Sequence, residues 1–311
     1  KFLYMLTRRH IRIKVMQSIF SVNTISDKPH NDQLLFLKKS FDEVLDLYLV
    51  IVSFFKALWN HSDHLIHINK TQARTINENI SHHLFINKNP YLFYLSNNSK
   101  IKNLLIKKKI NHWESKYDLI EKIYQKIIDS NFIEKSLKIK VENNNHKFVV
   151  DIFKKIIARE ETLHDYFEDI NINWSNDIPL VNTFLLKQLR GNDFKNNLKI
   201  HFPNKNVFKE DVNFGVNLFK TYFNNHNTLE KELIGKTPNW DSKRIAKLDF
   251  ILIKLAVNEL IHFKDIPSKV TLNEYVEIAK SYSTPKSSVF INGVLDRIVK
   301  DFELSNSLNK Y

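Results

Sequence analysis

The segment LDFILIKLAVNELIHFKDIPSKVTLNEYVEIAKSYSTPKSSVFINGVLDRI, residues 248–298, carries three helical patterns in succession. Its first part spaces apolar residues such as Leu248 and Leu252 three or four positions apart, as along one face of an α-helix. Such a face has to be buried, and Asp249 and Glu259 are the acidic residues that interrupt it. The segment therefore predicts a helix packed inside a helical bundle.

Two further helices follow in the same segment. Thr271 and Glu274 have the Thr-x-x-Glu spacing of a capping box, which predicts that the second helix begins at Thr271. Thr284–Pro285 supplies a cap and a proline at the first position of a third helix, which we expect to end near Phe302. Gly293, inside that helix, is predicted to admit a closely packed neighbour.

The rest of the chain also reads as helical. Thr7 is a suitable N-cap for a helix over about 8–21, and the apolar positions from Leu34 to Trp59 predict a second helix. Further on, Asn239 or Asp241 could cap the helix that carries Leu248. Four glycines and seven prolines are too few turn residues for many short strands, so the fold class is predicted to be all-α. Shorter helices are expected near 100–109, 114–129, 148–168, 180–190 and 208–226, and a loop or hairpin in IKVENNNHKFVV at 139–150.

Composition limits the classes of partner and chemistry. The 311 residues carry a formal net charge of +13, which favours nucleic acid or another polyanion as a partner. The chain contains no cysteine, which excludes disulfides, thiolate nucleophiles and cysteine-based metal sites. The most apolar run, LYLVIVSFF at 47–55, is well short of the roughly 20 residues that span a bilayer.

Several other patterns are candidate sites. His61, His64 and His67 could bind a metal, but steps of three residues turn the outer two about 120° apart on a helix, which favours structural roles. The acidic cluster at 160–169 has no accompanying nucleophile and is interpreted as surface charge. The run KIKNLLIKKK at 100–109 is either an extension of a nucleic-acid footprint or a solvated basic face. No cofactor or metal is predicted.

The C-terminal segment from residue 244 to 298, taken with TRRHIRIKVMQSIF at 7–20, resembles the NusB family of transcription antitermination factors. The resemblance is most specific in LNEYVEIAK and FINGVLDRI. It implies NusB-like helical bundles with a long, mostly helical insertion after the first helix, as in extended Bacteroidetes-type members. The expected organisation is an N-terminal helix in 1–21, an insertion of unknown role in 22–204 and a C-terminal NusB-like domain in 205–311.

The same resemblance implies a function without catalysis. It implies a cytoplasmic factor that binds boxA-type single-stranded RNA of nascent ribosomal RNA transcripts together with NusE, a small-subunit ribosomal protein. The pair would join the antitermination complex on RNA polymerase, with no membrane contact, and a homodimer stays open. The alternative is a helical protein–protein adaptor whose insertion recruits another partner, with RNA binding weak or lost. A methyltransferase with a NusB-like domain is disfavoured, because the scattered glycines cannot form a Gly-rich cofactor loop.

The resemblance assigns RNA contacts to the first helix. The candidates are Arg8, Arg9, His10, Arg12 and Lys14. Arginine suits this role because its planar guanidinium pairs with phosphate oxygens and stacks on unpaired bases. His10 stands where the family commonly has another arginine.

Partner contacts are assigned to four other residues. Phe20 replaces a tyrosine that is common in the family, and Asp249 falls on an acidic position associated with the partner and RNA surface. Lys286 begins the last helix, where family members can be acidic, and Phe290 lies one turn further on. These four residues form the predicted partner-binding set.

Overall fold

The computed structural model describes residues 6–21, 31–71, 80–138, 144–202, 205–234 and 246–305. Within these ranges every regular element is helical and no strand occurs, which confirms the all-α class. None of these helices has both the length and the apolar character needed to cross a membrane. The predicted cap at Asn239 or Asp241 lies outside the described residues.

Two short 3-10 turns, His112–Ser115 and Ile157–Arg159, accompany the described α-helices. In chain order the α-helices are α1 (Arg8–Phe20), α2 (Asn31–Thr71), α3 (Ile80–Lys88), α4 (Pro90–Asn97), α5 (Ser99–Lys108), α6 (Tyr117–Ile128), α7 (Phe132–Lys138), α8 (Asn144–Lys155), α9 (Glu161–Ile170), α10 (Trp174–Leu189), α11 (Asn192–Asn197), α12 (Lys205–Asn224), α13 (His226–Ile234), α14 (Lys247–His262), α15 (Ser268–Tyr282) and α16 (Pro285–Leu304).

The chain folds into two compact units. The described residues of 6–41 and 205–305 form one unit, called the split unit here, and those of 42–202 form the other, the central unit. The predicted insertion begins at residue 22, whereas residues 31–41 belong to the split unit. They do so because Ser18 Oγ donates to the carbonyl of Gln33 and Phe41 is fully buried in that unit.

The central unit has an apolar core of its own. The part of the predicted α2 face that lies beyond residue 41 contributes to this core, with Tyr48 and Phe55 completely inaccessible. Indole N–H groups tie later segments to α2: Trp113 Nε1 donates to the carbonyl of Val50, and Trp174 Nε1 to that of Glu43. These bonds satisfy buried polar groups while the rings fill the core.

In the split unit, α1 packs against α12, α14 and α15. Local signals at two helix starts are confirmed: Thr7 accepts from the backbone N–H of His10, and Thr284 accepts from that of Ser287, with Pro285 in the first turn.

The close packing of α1 and α12 depends on Gly215. A Cβ atom there would lie 2.7 Å from Phe41 Cζ and 2.8 Å from Ile11 Cγ2.

Other sequence expectations were wrong. α15 begins at Ser268 after Pro267, so Thr271 lies inside the helix and forms no capping box. Gly293 has no neighbour within 4 Å of a Cβ position, so it admits no close contact. The helix expected over 148–168 is two helices, α8 and α9, separated by a 3-10 turn. α8 begins at Asn144, within the stretch predicted as a loop or hairpin.

The two helical glycines give a matched stability test. Gly215→Ala gains helix propensity but places a methyl group against two fully buried side chains, and we expect it to lower the free energy of unfolding by about 1–3 kcal/mol. Gly293→Ala adds a methyl group in open space and should raise that free energy by up to about 1 kcal/mol. Urea unfolding of both variants measures the difference, and equal stabilisation would contradict the close contact at Gly215.

Candidate nucleic-acid interface on the first helix

The basic residues of α1 divide between a buried side and an exposed side. Arg12 and Lys14 are buried, with 2% and 5% of their surface accessible. The side chains of Arg8 and Arg9 are 51% and 43% accessible. The sequence resemblance assigned all four residues to RNA contact, whereas the packing of α1 against three helices separates them.

Arg12 forms a buried, two-pronged ion pair with Glu259 of α14. Its Nε and Nη2 atoms donate to Oε2 and Oε1 of Glu259, each at 2.7 Å. The same carboxylate also accepts from the hydroxyls of Thr271, at 2.9 Å, and Tyr275, at 3.2 Å. Burial alone would lower the pKa of Arg12, but the bonds and charge of Glu259 raise it, so the guanidinium stays charged. This side chain is therefore committed to the interior.

Arg9 is held at the surface by a second two-pronged pair. Its Nε and Nη2 atoms donate to the two carboxylate oxygens of Glu274, each at 2.9 Å. These hydrogen bonds are the main reason that the pKa of Arg9 is raised. Arg8 lies beside it, with its guanidinium carbon 4.3 Å from the ring centroid of Phe214 and its Nε 3.7 Å from Asp211 Oδ1. Both guanidinium groups are thus oriented and partly open to solvent.

His10 contributes a hydrogen-bonding group rather than a charge near neutral pH. Its Nδ1 lies 2.7 Å from the hydroxyl of Thr7. Burial, and then the neighbouring charges of Lys14 and Arg9, lower the pKa of His10 below its ordinary value. Protonation therefore needs a more acidic solution than it would for a free histidine.

A groove of about 1260 Å³ opens beside this exposed side of α1. It lies within the split unit, between α1, the middle of α12 and the α14–α15 connection. Cationic side chains in the lining outnumber the acidic ones, Asp265 and Glu274, and apolar groups form the remaining wall. The basic lining residues are Arg8, Arg9, Arg12, Lys220 and Lys264, with His10 and His262 beside them.

The sequence did not identify two parts of this site. The ring of Phe214 packs against the Arg8 guanidinium, but the sequence predicted only that Phe214 lies in a helix. It assigned Glu274 to a capping box, although this residue pairs with an arginine 265 residues away in sequence. Asp249 and Glu259 both interrupt an apolar face, and of these two acidic residues it is Glu259 that has a buried cation, Arg12, opposite it.

The predicted partner residues occupy different environments. Phe20 is 47% exposed, and the ammonium group of Lys247 lies 4.9 Å from its ring centroid. Lys286 is exposed and Phe290 is half-buried.

Asp249 is buried, and its two carboxylate oxygens accept from the hydroxyls of Ser283, at 2.6 Å, and Ser287, at 2.7 Å. It therefore joins α14 to the start of α16 and presents no carboxylate to a partner surface.

The remaining sequence candidates have structural contacts. His61 Nε2 lies 2.6 Å from a carboxylate oxygen of Glu121, and no cluster of three metal-ligating side chains occurs in the part of the chain that is described. Glu160, from the acidic cluster, pairs with Lys126 at 2.6 Å. The His61 contact agrees with a structural role for that histidine. Glu160 is buried, with 7% of its surface accessible, so the surface-charge interpretation is wrong for this residue and agrees with the exposure of the other four acidic residues of the cluster.

Comparison with known proteins identifies similarity to one family. The NusB family model matches residues 180–300. Proteins named Transcription antitermination protein NusB are similar to the chain in Salinibacter ruber (46% identity over 80 residues), Clostridium kluyveri (38% over 91) and Geotalea daltonii (35% over 116). These matches cover 25%, 29% and 37% of this chain. The chain spans 50%, 58% and 77% of the respective relatives. No solved structure matches.

The two arginine pairs predict different stability effects. Glu259→Gln leaves the buried charge of Arg12 without its counterion and should lower the free energy of unfolding by about 3–5 kcal/mol. Glu274→Gln removes a partly exposed pair and should lower it by less than about 1 kcal/mol. Guanidinium-induced unfolding measures both. Decreases of equal size would refute the distinction between a structural and an exchangeable pair.

Proposed function

The chain belongs to the NusB family, and on this basis we propose that it is an RNA-binding transcription antitermination factor. It binds boxA-type single-stranded RNA of nascent ribosomal RNA transcripts together with NusE, in the cytoplasm, as part of the antitermination complex on RNA polymerase. Members of this family are non-enzymatic. The observation that carries the RNA-binding part is the groove beside α1, into which the oriented guanidinium groups of Arg8 and Arg9 project their charge.

The chemistry of the groove suits an unpaired RNA strand. A guanidinium forms two parallel hydrogen bonds with phosphate oxygens, in the same geometry that Arg9 already uses with the carboxylate of Glu274. A phosphate can therefore take the place of that carboxylate without a change in the orientation of Arg9. Lys220 and Lys264 add positive charge along the groove, and Phe263 provides apolar surface for a base, whereas Phe214 is buried beneath the Arg8 guanidinium.

The two buried basic residues have a different role in this proposal. Arg12 positions α1 through Glu259, so that Arg8 and Arg9 are turned towards the groove. We assign no RNA contact to Lys14, because its side chain is buried. His10 contributes mainly when the solution is acidic.

NusE docks, in this proposal, on a surface that includes Phe20, Lys286 and Phe290. The first two are exposed, and Asp249 supports the surface from inside by bonding Ser287 in the first turn of α16. Charge reversal at Asp249 is therefore expected to disturb folding as well as docking. This differs from the role of direct contact that the sequence suggested for Asp249.

The experiment that tests the function is fluorescence anisotropy with a short boxA-type RNA from the source organism and a scrambled RNA of the same composition. Each RNA is titrated with this protein, with purified NusE and with both. Cooperative and sequence-selective binding by the pair is expected. Absence of RNA binding in all three titrations would reject the proposal and favour the protein–protein adaptor.

Salt dependence tests the arginine contacts. The logarithm of RNA affinity falls with the logarithm of salt concentration by about 0.7 for each neutralised phosphate of a single strand. Arg8→Ala with Arg9→Ala should lower that slope by roughly 1.4 if each residue neutralises one phosphate. The matched control changes Arg297 and Lys300, exposed residues of α16 outside the groove, to alanine. Equal slopes for the two double variants would exclude Arg8 and Arg9 from the site.

The pH dependence of RNA affinity tests whether His10 contacts RNA. Because burial lowers the pKa of His10, its ring is neutral at pH 7.5 and gains a proton only as the pH falls below the ordinary histidine range, near 6.5. Bound phosphates favour the protonated ring, so RNA affinity should rise on acidification and His10→Gln should reduce that rise. Affinity measured at constant ionic strength between about pH 7.5 and 5.5 provides the comparison. An unchanged pH profile in the variant would show that His10 does not face RNA.

A further inference from the structure

The central unit contains a second groove that the α1 site does not use. Its volume is about 800 Å³, and it lies between α2, α5, the 3-10 turn at 112–115 and the start of α6. Three lysines line it: Lys56, Lys102 and Lys109, all exposed. The acidic residue among the lining side chains is Glu114, whose carboxylate accepts from the amide of Asn111 at 3.4 Å. The lining is therefore net cationic.

Aromatic and aliphatic side chains form the rest of the groove. Tyr117 is 51% exposed, and its ring packs edge-on to His61 with a centroid distance of 5.3 Å. Trp113 is fixed because its indole N–H donates to the carbonyl of Val50, at 3.1 Å, and to Ser53 Oγ, at 2.9 Å. Ile106 is 66% exposed at the same groove. Tyr117 is therefore a half-exposed ring at the groove, and the Trp113 ring is held in one orientation.

We propose that this groove binds a segment of single-stranded RNA, with phosphates on Lys56, Lys102 and Lys109 and a base stacked on Tyr117. Proteins that bind unpaired strands combine a cationic groove that follows the backbone with aromatic rings on which bases stack. An 800 Å³ groove with a basic rim and one exposed tyrosine ring provides both components. The site lies wholly in the central unit and is separate from the α1 groove, so it adds an RNA contact that the proposed function does not require.

The backbone at Lys109 supports a role for its side chain. Lys109 follows α5 with φ 55° and ψ 39°, a left-handed conformation in which glycine is the least strained residue. A lysine at this position is more strained than a glycine would be, but it places an ammonium group at the groove. Lys109→Gly should therefore weaken RNA binding and leave the thermal midpoint of unfolding unchanged or higher. A decrease in stability with unchanged RNA binding would contradict this assignment.

The main test removes charge from the groove in the full-length chain. The probe is a fluorescein-labelled oligouridylate of about 20 nucleotides, long enough for a single-strand site and unable to form a stable duplex with itself. The background is Arg8→Ala with Arg9→Ala, and Lys56, Lys102 and Lys109 are changed together to glutamine. We expect this groove variant to lower the salt slope of binding by about 0.7 for each phosphate that a lysine no longer neutralises.

A matched control accounts for the change in net charge. It changes Lys88, Lys135 and Lys147 to glutamine, which are exposed lysines of the central unit outside the groove. This control removes the same number of charges from the same unit, and we expect it to leave the salt slope unchanged. Equal slopes in the groove variant and the control would overturn the second site.

The proposed base stack on Tyr117 is tested by one substitution in the groove and a matched control substitution outside it. Tyr117→Leu should weaken binding about tenfold, because removal of a base–aromatic stack has roughly this effect. Phe93→Leu is the control, since Phe93 is 53% exposed, packs edge-on to Trp59 and lies outside the groove. Ultraviolet crosslinking followed by peptide mass spectrometry should place uridine adducts on the peptides that contain Trp113 or Tyr117.

The outcomes separate this inference from the proposed function. Two further comparisons use the three lysine substitutions in the otherwise unaltered chain and Arg8→Ala with Arg9→Ala alone. Unchanged oligouridylate binding in the first variant, with binding abolished in the second, would overturn the second RNA site and leave the α1 site standing. The reverse pattern would support the second site and reject the α1 site. Adducts confined to α1 would also overturn the second site. Circular dichroism of each variant checks that the helices are retained.

Discussion

Four hydrogen bonds converge on the carboxylate of Glu259, two of them from the guanidinium of Arg12. Removing either charge from water costs several kcal/mol, and the attraction offsets this cost only when the remaining hydrogen-bonding positions are filled. Thr271 and Tyr275 fill them, so α1, α14 and α15 are fixed to one another at a single point. The pair also sets the rotation of α1 about its own axis. That rotation turns Arg8 and Arg9 outward to the groove.

One helix thus carries two kinds of arginine pair, and their energetics differ. The Arg12–Glu259 pair is inaccessible to water and cannot exchange its carboxylate for another anion without exposing a buried charge. The Arg9–Glu274 pair is partly solvated, and pairs of this kind contribute only about 0–1 kcal/mol. An incoming phosphate can therefore compete with Glu274. Burial, rather than residue type, decides which arginine is available for RNA.

Local signals in the sequence were reliable where the bonding partner is a few residues away. Thr7 and Thr284 cap helices because each needs only a backbone N–H three residues further on. The same kind of reasoning failed for Thr271 and Glu274, whose partners, Glu259 and Arg9, come from other helices. Tertiary packing also determines which polar side chains are buried, and helical periodicity does not encode this. The helical class and the exposed arginines of the candidate site were predictable, whereas the burial of Arg12 and Asp249 was not, because each depends on groups far away in the chain.

The split unit is discontinuous in sequence, which has a consequence for how the chain folds as it is synthesised. Arg12 and Glu259 are 247 residues apart. At about 5–20 residues per second, the ribosome adds Glu259 roughly 12–50 s after Arg12. Throughout that interval α1 lacks the contacts with α14 and α15 that the finished unit provides. The central unit is one continuous stretch with its own core, so it can be complete before its flanking segments assemble. Translation order therefore favours a molecule in which the central unit folds first and the split unit closes last.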